Sequence, residues 1–426
     1  MRRHMIARML DRAPKKVFSD IAEKVEVSFR KLYSFPSTAY GLFGLYKYPA
    51  KFIPHIPLYA LKEYASEEDT VLDPFAGQGS VGFACWLTGN SYELWDINPI
   101  LEFLHSFVYI GKVNEFRIIK ALEKLTHEKF IYLPKWDNID YWYPEEFKEL
   151  LGKAWFSVKN IEEEDTKKIL TLALLKVSKF LSYADEKVHK LYRSKRAVSK
   201  IKELLSKDYK SIFKERLRTE VINILEKLAE WRKLEIKRPK SVSVYIGDIF
   251  EKELDREVDI LLTSPPYIQA QEYIRSTKLE LYWLGFEDEK IREISNKEIP
   301  YRKEKINAEI NSSLYWDIFN KISGDSVCQV FANYFNSLIY ILDRFSEKVK
   351  KYMLLFVGPV HVRDIQVPID EILTEHFLNK GWKHKLTYID TVKSRVMFNT
   401  KTYINPSTGL KNKRMETEML IVLERC

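Results

Sequence analysis

Short buried runs and amphipathic stripes alternate at the two ends of this chain, and only stripes fill its middle. Thr70, Val71 and Leu72 form a compact apolar run, after which Gly77 and Gly79 open a turn. Residues 81–87 read as the following helix, closed by Gly89, and residues 91–99 as a second strand, with Asp96 just past its apolar part and Pro99 starting another helix. This β-α-β succession begins a doubly wound parallel sheet.

The alternation then stops. From about residue 112 to 240 the spacing predicts helices and no strand. Phe213, Leu217, Val221, Ile224 and Leu228 step by three and four, which gathers them on one face, and residues 163–181 form a second such stripe. Strand-like runs resume at 243–250 and 258–267, followed by helical pattern over 270–284. The charged stretch 286–311 reads as a loop or lid. A helix over 328–349, a strand over 352–358, a helix over 368–380 and strands near 384–391 and 418–424 complete the sheet, the last two pairing as an antiparallel hairpin. The expected architecture is therefore α/β. Residues 1–111 and 241–426 share one sheet, and residues 112–240 form a helical insertion.

Composition narrows the class. The 426 residues are 46% hydrophobic and 30% charged, as in soluble globular proteins. No apolar run approaches the ~18 residues a membrane span needs. The basic start MRRHMIARMLDRAPKK lacks the apolar core and small-residue cleavage site of a signal peptide, so a cytoplasmic protein is expected. Cys85, Cys328 and Cys426 share no metal-ligand spacing, His55 and His361 show no partner spacing, and no metal is expected. Charge is concentrated: residues 187–240 hold 18 Lys and Arg against 7 Asp and Glu, so the rest of the chain is close to neutral. Such a stretch is either the footprint of a nucleic acid or a solvated helical face.

The unusual residues all fall at the carboxyl ends of predicted strands, where open α/β sheets bind ligands. Asp73 closes the first strand, and Gly77 and Gly79 behind it allow backbone to approach a ligand. Asp96 ends the second and suits ribose hydroxyls, and Asp248 ends the third. Ser264, Pro265, Pro266 and Tyr267 end the fourth. Two prolines after a buried strand fix the backbone and remove two N–H donors while leaving their carbonyls. An ordinary turn gives the adjacent Ser and Tyr no purpose.

DPFAGQGS (73–80) together with TSPPY (263–267) resembles the DNA amino-methyltransferases, whose catalytic motif is D/N/S-P-P-Y/F. KYPAKFIPHIPLYAL (47–61) is similar to the element preceding that family's cofactor loop. Residues 263–286 and 411–423 resemble a microbial subgroup labelled cytosine-N4 specific. The resemblance implies a class I Rossmann-like methyltransferase sheet and S-adenosylmethionine as cofactor. It also implies double-stranded DNA as substrate, with a cognate restriction endonuclease as a companion. It implies N4 of cytosine as the target, with adenine N6 the alternative. An RNA base methyltransferase and a non-catalytic nucleic-acid-binding subunit stand behind these. The motif order departs from the common one, since the catalytic motif here follows the cofactor loop by about 185 residues.

By the same resemblance, Asp73 binds the methionyl amine and Asp96 the ribose. Asp248 takes the adenine amino group, with Ile249 or Phe250 against its ring. Tyr48, Pro49, Pro74, Phe75, Ser80 and Ile97 complete the cofactor contacts. Ser264 Oγ and the Pro265 carbonyl orient the target amino group, and Tyr267 stacks on the extruded base. Tyr273 and Trp283, at helical spacing behind the motif, are read as packing. Arg395 and the basic residues 411–414 are candidates for DNA phosphates.

Overall fold

The computed structural model describes residues 23–49, 52–188, 190–268, 272–324, 327–362, 365–391 and 417–426. Arg395 and residues 411–414 lie outside them. Among the described residues ten strands are present: β1 (Lys24–Val27), β2 (Thr70–Asp73), β3 (Ser91–Asp96), β4 (Val242–Ile246), β5 (Val258–Thr263), β6 (Val349–Val357), β7 (Val360–Val362), β8 (Ile365–Val367), β9 (Trp382–Thr391) and β10 (Thr417–Arg425). Eight form one sheet in the order β1-β9-β10-β6-β5-β2-β3-β4. All pairings from β6 through β5, β2 and β3 to β4 are parallel. β10 runs antiparallel between β9 and β6, as expected for the final hairpin.

The central strands sit where hydropathy put them because both of their faces are covered. All six residues of β5, VDILLT, are buried, the near-continuous apolar run that a two-faced parallel strand requires. One face carries α1 (His55–Tyr64), α2 (Ser80–Thr88) and the helical insertion, and the other carries the long helix 328–346 and the helix 369–378.

Between β3 and β4 lie α3 (Glu115–Lys124), α4 (Glu145–Lys159), α5 (Glu164–Phe180), α6 (Lys195–Leu205) and α7 (Tyr209–Arg232). No named strand interrupts them among the described residues. Phe213, Leu217, Val221, Ile224 and Leu228 are all buried on the predicted face of α7. Trp231, at its end, meets Phe43 and Phe83 edge-on at ring distances of 6.3 and 6.2 Å. The core of the insertion thereby runs on into that of the sheet.

Beyond β5 follow α8 (Tyr273–Leu284) and α9 (Asp288–Asn296). α9 corrects the expectation of an unstructured lid over 286–311. Ile291 and Ile294 are one turn apart and buried, and they pin this helix beside α8. Residues 297–312 behind it are irregular.

Candidate active site

Four strand ends converge on one cavity. Its walls include Asp73 and the loop behind β2, Asp96 and Ile97 behind β3, Asp248 and Ile249 behind β4, and all four of Ser264, Pro265, Pro266 and Tyr267 behind β5. Tyr48 and Pro49 close it from the segment before α1, while Pro74, Phe75, Gly77 and Ser80 contribute the loop. Residues far apart in sequence meet here because parallel strands present every carboxyl end on one edge.

Hydrogen bonds fix these groups. Asp73 Oδ1 accepts from Thr263 Oγ1 at 2.6 Å and from the Phe75 amide at 3.2 Å. That joins the cofactor loop to the strand carrying the proline motif. Asp96 accepts from the Gly77 amide at 2.7 Å and the Asn98 amide at 2.8 Å, so it braces the loop as well as facing the cavity. Asn98 donates to Thr277 Oγ1 at 3.0 Å and ties the turn to α8.

The electrostatics favour a cationic ligand. Asp73, Asp96, Asp248 and Glu298 line the cavity against one lysine, Lys297. Burial pushes the Asp73 carboxyl up to about 7, against the lowering bonds from Thr263 and Phe75, and the nearby Asp96 adds to the rise. Burial likewise raises Asp96 to about 6 and Glu298 to about 8. Carboxyls so placed resist ionising unless a cation joins them.

Several expectations change on inspection of the atoms. Gly79 does not line the cavity. It is left-handed (φ 88°) and a Cβ there would stand 3.0 Å from His105 Nδ1 and 3.2 Å from Leu101, so it serves packing beneath the loop. Gly77 (φ 56°) does line it, with a Cβ position 3.1 Å from the Tyr48 ring. Asp248 is already engaged: Arg302 Nη1 donates to it at 2.8 Å and the Phe250 amide at 3.0 Å. The Arg302 guanidinium lies 4.1 Å from the Phe250 ring centre, and Tyr340 stacks parallel to that ring at 5.8 Å. Phe250 nevertheless lines the cavity, as Ile249 does, so both offer apolar surface beside Asp248. Tyr273, read as packing, lines the cavity and stacks on Tyr48 at 6.3 Å and 12°. Trp283 does pack, stacked on Trp155 at 5.4 Å with its indole N–H donating to Tyr143.

Sequence reasoning missed Glu298, Arg302 and Glu418. Tyr267 donates its hydroxyl to Glu418 Oε1 at 2.7 Å, a carboxyl raised by burial, so β10 holds the motif's ring. No local signal marked these three: tertiary packing brings Glu298 into the cavity wall, and Arg302 and Glu418 to the lining residues Asp248 and Tyr267. The basic stretch 187–240 also proves heterogeneous. Eight of its cations are in ion pairs. Lys237 and Lys240 pair with Glu67 and Glu68 at the amino ends of β2 and β4, opposite the cavity.

Among the described residues no cluster of ligands suits a metal ion, and no helix is long and apolar enough to cross a membrane. Residues 51–313 match the profile of the D12 class N6 adenine-specific DNA methyltransferases, a stretch that spans the cofactor loop, the insertion and the proline motif. The chain is 26% identical over 313 residues to the type II methyltransferase M.BsoBI of Geobacillus stearothermophilus, covering 67% of this chain and 61% of that one. It is 23% identical over 420 residues to the type II methyltransferase M.MvaI of Kocuria varians, covering 88% and 89%. With the type II methyltransferase M.AvaI of Nostoc sp. it shares 23% identity over 296 residues, 61% of that protein's length. The chain thus spans about three fifths of M.BsoBI and M.AvaI.

Proposed function

From the premise that this chain belongs to the D12 class N6 adenine-specific DNA methyltransferase family, we propose that it methylates an exocyclic amino nitrogen of a base in double-stranded DNA at a specific site. The family uses S-adenosylmethionine as methyl donor. One observation carries the reading: the Ser-Pro-Pro-Tyr motif and four carboxyls line the same cavity at the carboxyl edge of the sheet.

The residues present fit that cofactor. Asp73, whose Oδ1 is held by Thr263, would bind its ammonium group, and Asp96 its ribose. Ile249 and Phe250, which both line the cavity, would face its adenine. Gly77 keeps the wall clear of the Tyr48 ring, where a side chain would intrude. Once bound, S-adenosylmethionine supplies an electrophilic methyl carbon on a sulfonium.

The chain's own work is orientation. A base amino nitrogen is a weak nucleophile because its lone pair is delocalised into the ring. Bonds from that amino group to Ser264 Oγ and the Pro265 carbonyl localise the pair and aim it, the kind of contribution that proximity makes to displacement reactions. Tyr267 stacks on the extruded base, and Glu418 is its positioning residue. The ring cannot swing away while its hydroxyl donates to a buried carboxyl.

The family's description favours N6 of adenine over the N4 of cytosine expected from the sequence, and we adopt adenine as the main reading. Cytosine N4 stays as the second, favoured by Ser264 at the first motif position. The type II designation of the relatives supports site specificity and a companion restriction endonuclease. The test is mass spectrometry of digested DNA from cells expressing the protein, with long-read sequencing for context. N6-methyladenine is expected, and N4-methylcytosine would change the base while keeping the mechanism. Ser264→Ala should abolish the product and retain the cofactor; undiminished product in that variant would overturn the mechanism.

A further inference from the structure

A second cleft opens beside the catalytic cavity, and Glu298 is a wall of both. One side is an aromatic corner of the helical insertion, where Trp136, Tyr141 and Trp142 converge; the other is Tyr301, on the irregular segment after α9. Trp136 lies flat on Tyr282 at 4.1 Å and 12°, and Trp142 continues the stack at 6.3 Å and 21°. The stack is anchored at its buried end. Tyr141 and Tyr301 are 52% and 47% exposed at the open end.

Single exposed aromatics are common on protein surfaces and need no explanation. Here, however, rings from two separate parts of the chain converge on one concavity that shares a wall, Glu298, with the active site. Its lining holds two acidic and two basic side chains, unlike a groove that tracks phosphates, and the Arg193 guanidinium lies 4.5 Å from the centre of the Tyr141 ring. Arg275 is committed to Glu272 at 2.9 Å, and Lys278 faces Asp288 at 3.7 Å. Asn138 and Ser295 also line it, and Asn138 makes no cap bond to the short helix Ile139–Trp142 that it precedes. Aromatic walls with a few polar groups, balanced charge and a wall shared with the catalytic cavity describe a seat for an uncharged planar ring.

We propose that this cleft binds a second, unstacked nucleobase of the substrate DNA, a neighbour of the target. The inference rests on the DNA methylation reading. The base lies among Tyr141, Trp142 and Tyr301, and Asn138 and Ser295 meet its edge. Extruding the target removes its neighbours' stacking partner, and the cleft replaces that partner one step away. Through it the insertion takes part in recognition by an aromatic corner at residues 136–142, outside the basic stretch 187–240.

The test is a double-mutant cycle between protein rings and DNA bases. Once the modified position is known, duplexes carry an abasic site at each position around it, and their binding is measured with wild-type, Tyr141→Ala and Tyr301→Ala proteins. Base–aromatic stacking predicts that either variant weakens binding of intact duplex roughly tenfold, with cofactor affinity unchanged. At one neighbouring position the effects of the abasic site and of the tyrosine substitution should fail to add, because both remove the same stacking interaction. Additive effects at every position, unchanged DNA affinity, or coupling confined to the target base would each overturn the proposal. A wild-type protein that neither binds nor methylates DNA would instead overturn the function on which it rests.

Discussion

Asp73, Asp96 and Glu298 stand in one cavity with carboxyls raised by burial to about 7, 6 and 8. Ordinary carboxyls titrate near 4. Across the interval between, the folded, ligand-free protein keeps protons that the unfolded chain has released. The stability that these three groups contribute should therefore fall as pH rises from about 4 to about 8, since stability drops wherever the native state binds more protons, while buried His105, lowered to about 3, acts in the opposite sense below about pH 6.5. A cationic ligand reverses the balance by favouring the ionised forms. Affinity for S-adenosylmethionine should accordingly climb from below about pH 6 to above about pH 8, together with the cofactor-induced rise in Tm. Titration calorimetry across that range checks it. A flat affinity profile would mean that the cofactor does not shift the protonation of these carboxyls, Asp73 beside its ammonium group foremost.

The loop between β2 and α2 shows what sequence could and could not say at the level of an element. Its two glycines were visible, and so was its place after a strand, but their separate duties were not. Both are left-handed, a conformation that costs a residue with a side chain about 1–2 kcal/mol. Gly79→Ala should lower Tm further, because its Cβ would meet His105, whose Nε2 is 2.6 Å from the Tyr92 hydroxyl in the core, and Leu101. Gly77→Ala directs its Cβ at Tyr48, a wall of the cavity. That variant should lose cofactor affinity beyond what its Tm explains. Calorimetry on both variants, each checked for folding, separates the roles; indistinguishable behaviour would refute the division. The same limit governs the rest of the chain. β5 and the stripe of α7 were legible because burial imposes a local period. α9 was not, since its stripe amounts to Ile291 and Ile294. Likewise Tyr273 has the spacing of a packed residue, and only the approach of Tyr48 from 225 residues away puts it in the cavity wall.

On the scale of the whole molecule, the sheet has two edges and only one carries the chemistry. The basic stretch 187–240 reads in the sequence either as a nucleic-acid footprint or as a solvated helical face, and in the fold its two ends have different surroundings. Lys237 and Lys240 neutralise Glu67 and Glu68 at the amino edge. Lys187 and Lys195 are exposed on either side of Leu191, which lines the aromatic cleft beside the active site. A base in that cleft would bring its phosphates to the side of the molecule that Lys187 and Lys195 neighbour in sequence through Leu191, away from the ion pairs of Lys237 and Lys240. Replacing Lys187 and Lys195 by alanine should reduce the log–log salt slope of DNA binding by about 0.9 for each duplex phosphate that is no longer neutralised. Replacing Lys237 and Lys240 should leave the slope unchanged, since it removes only two exposed ion pairs at the far edge, and such pairs add little to stability. Equal changes in slope from the two double variants would mean that DNA is drawn by the stretch as a whole, and that the carboxyl edge has no privileged hold on it.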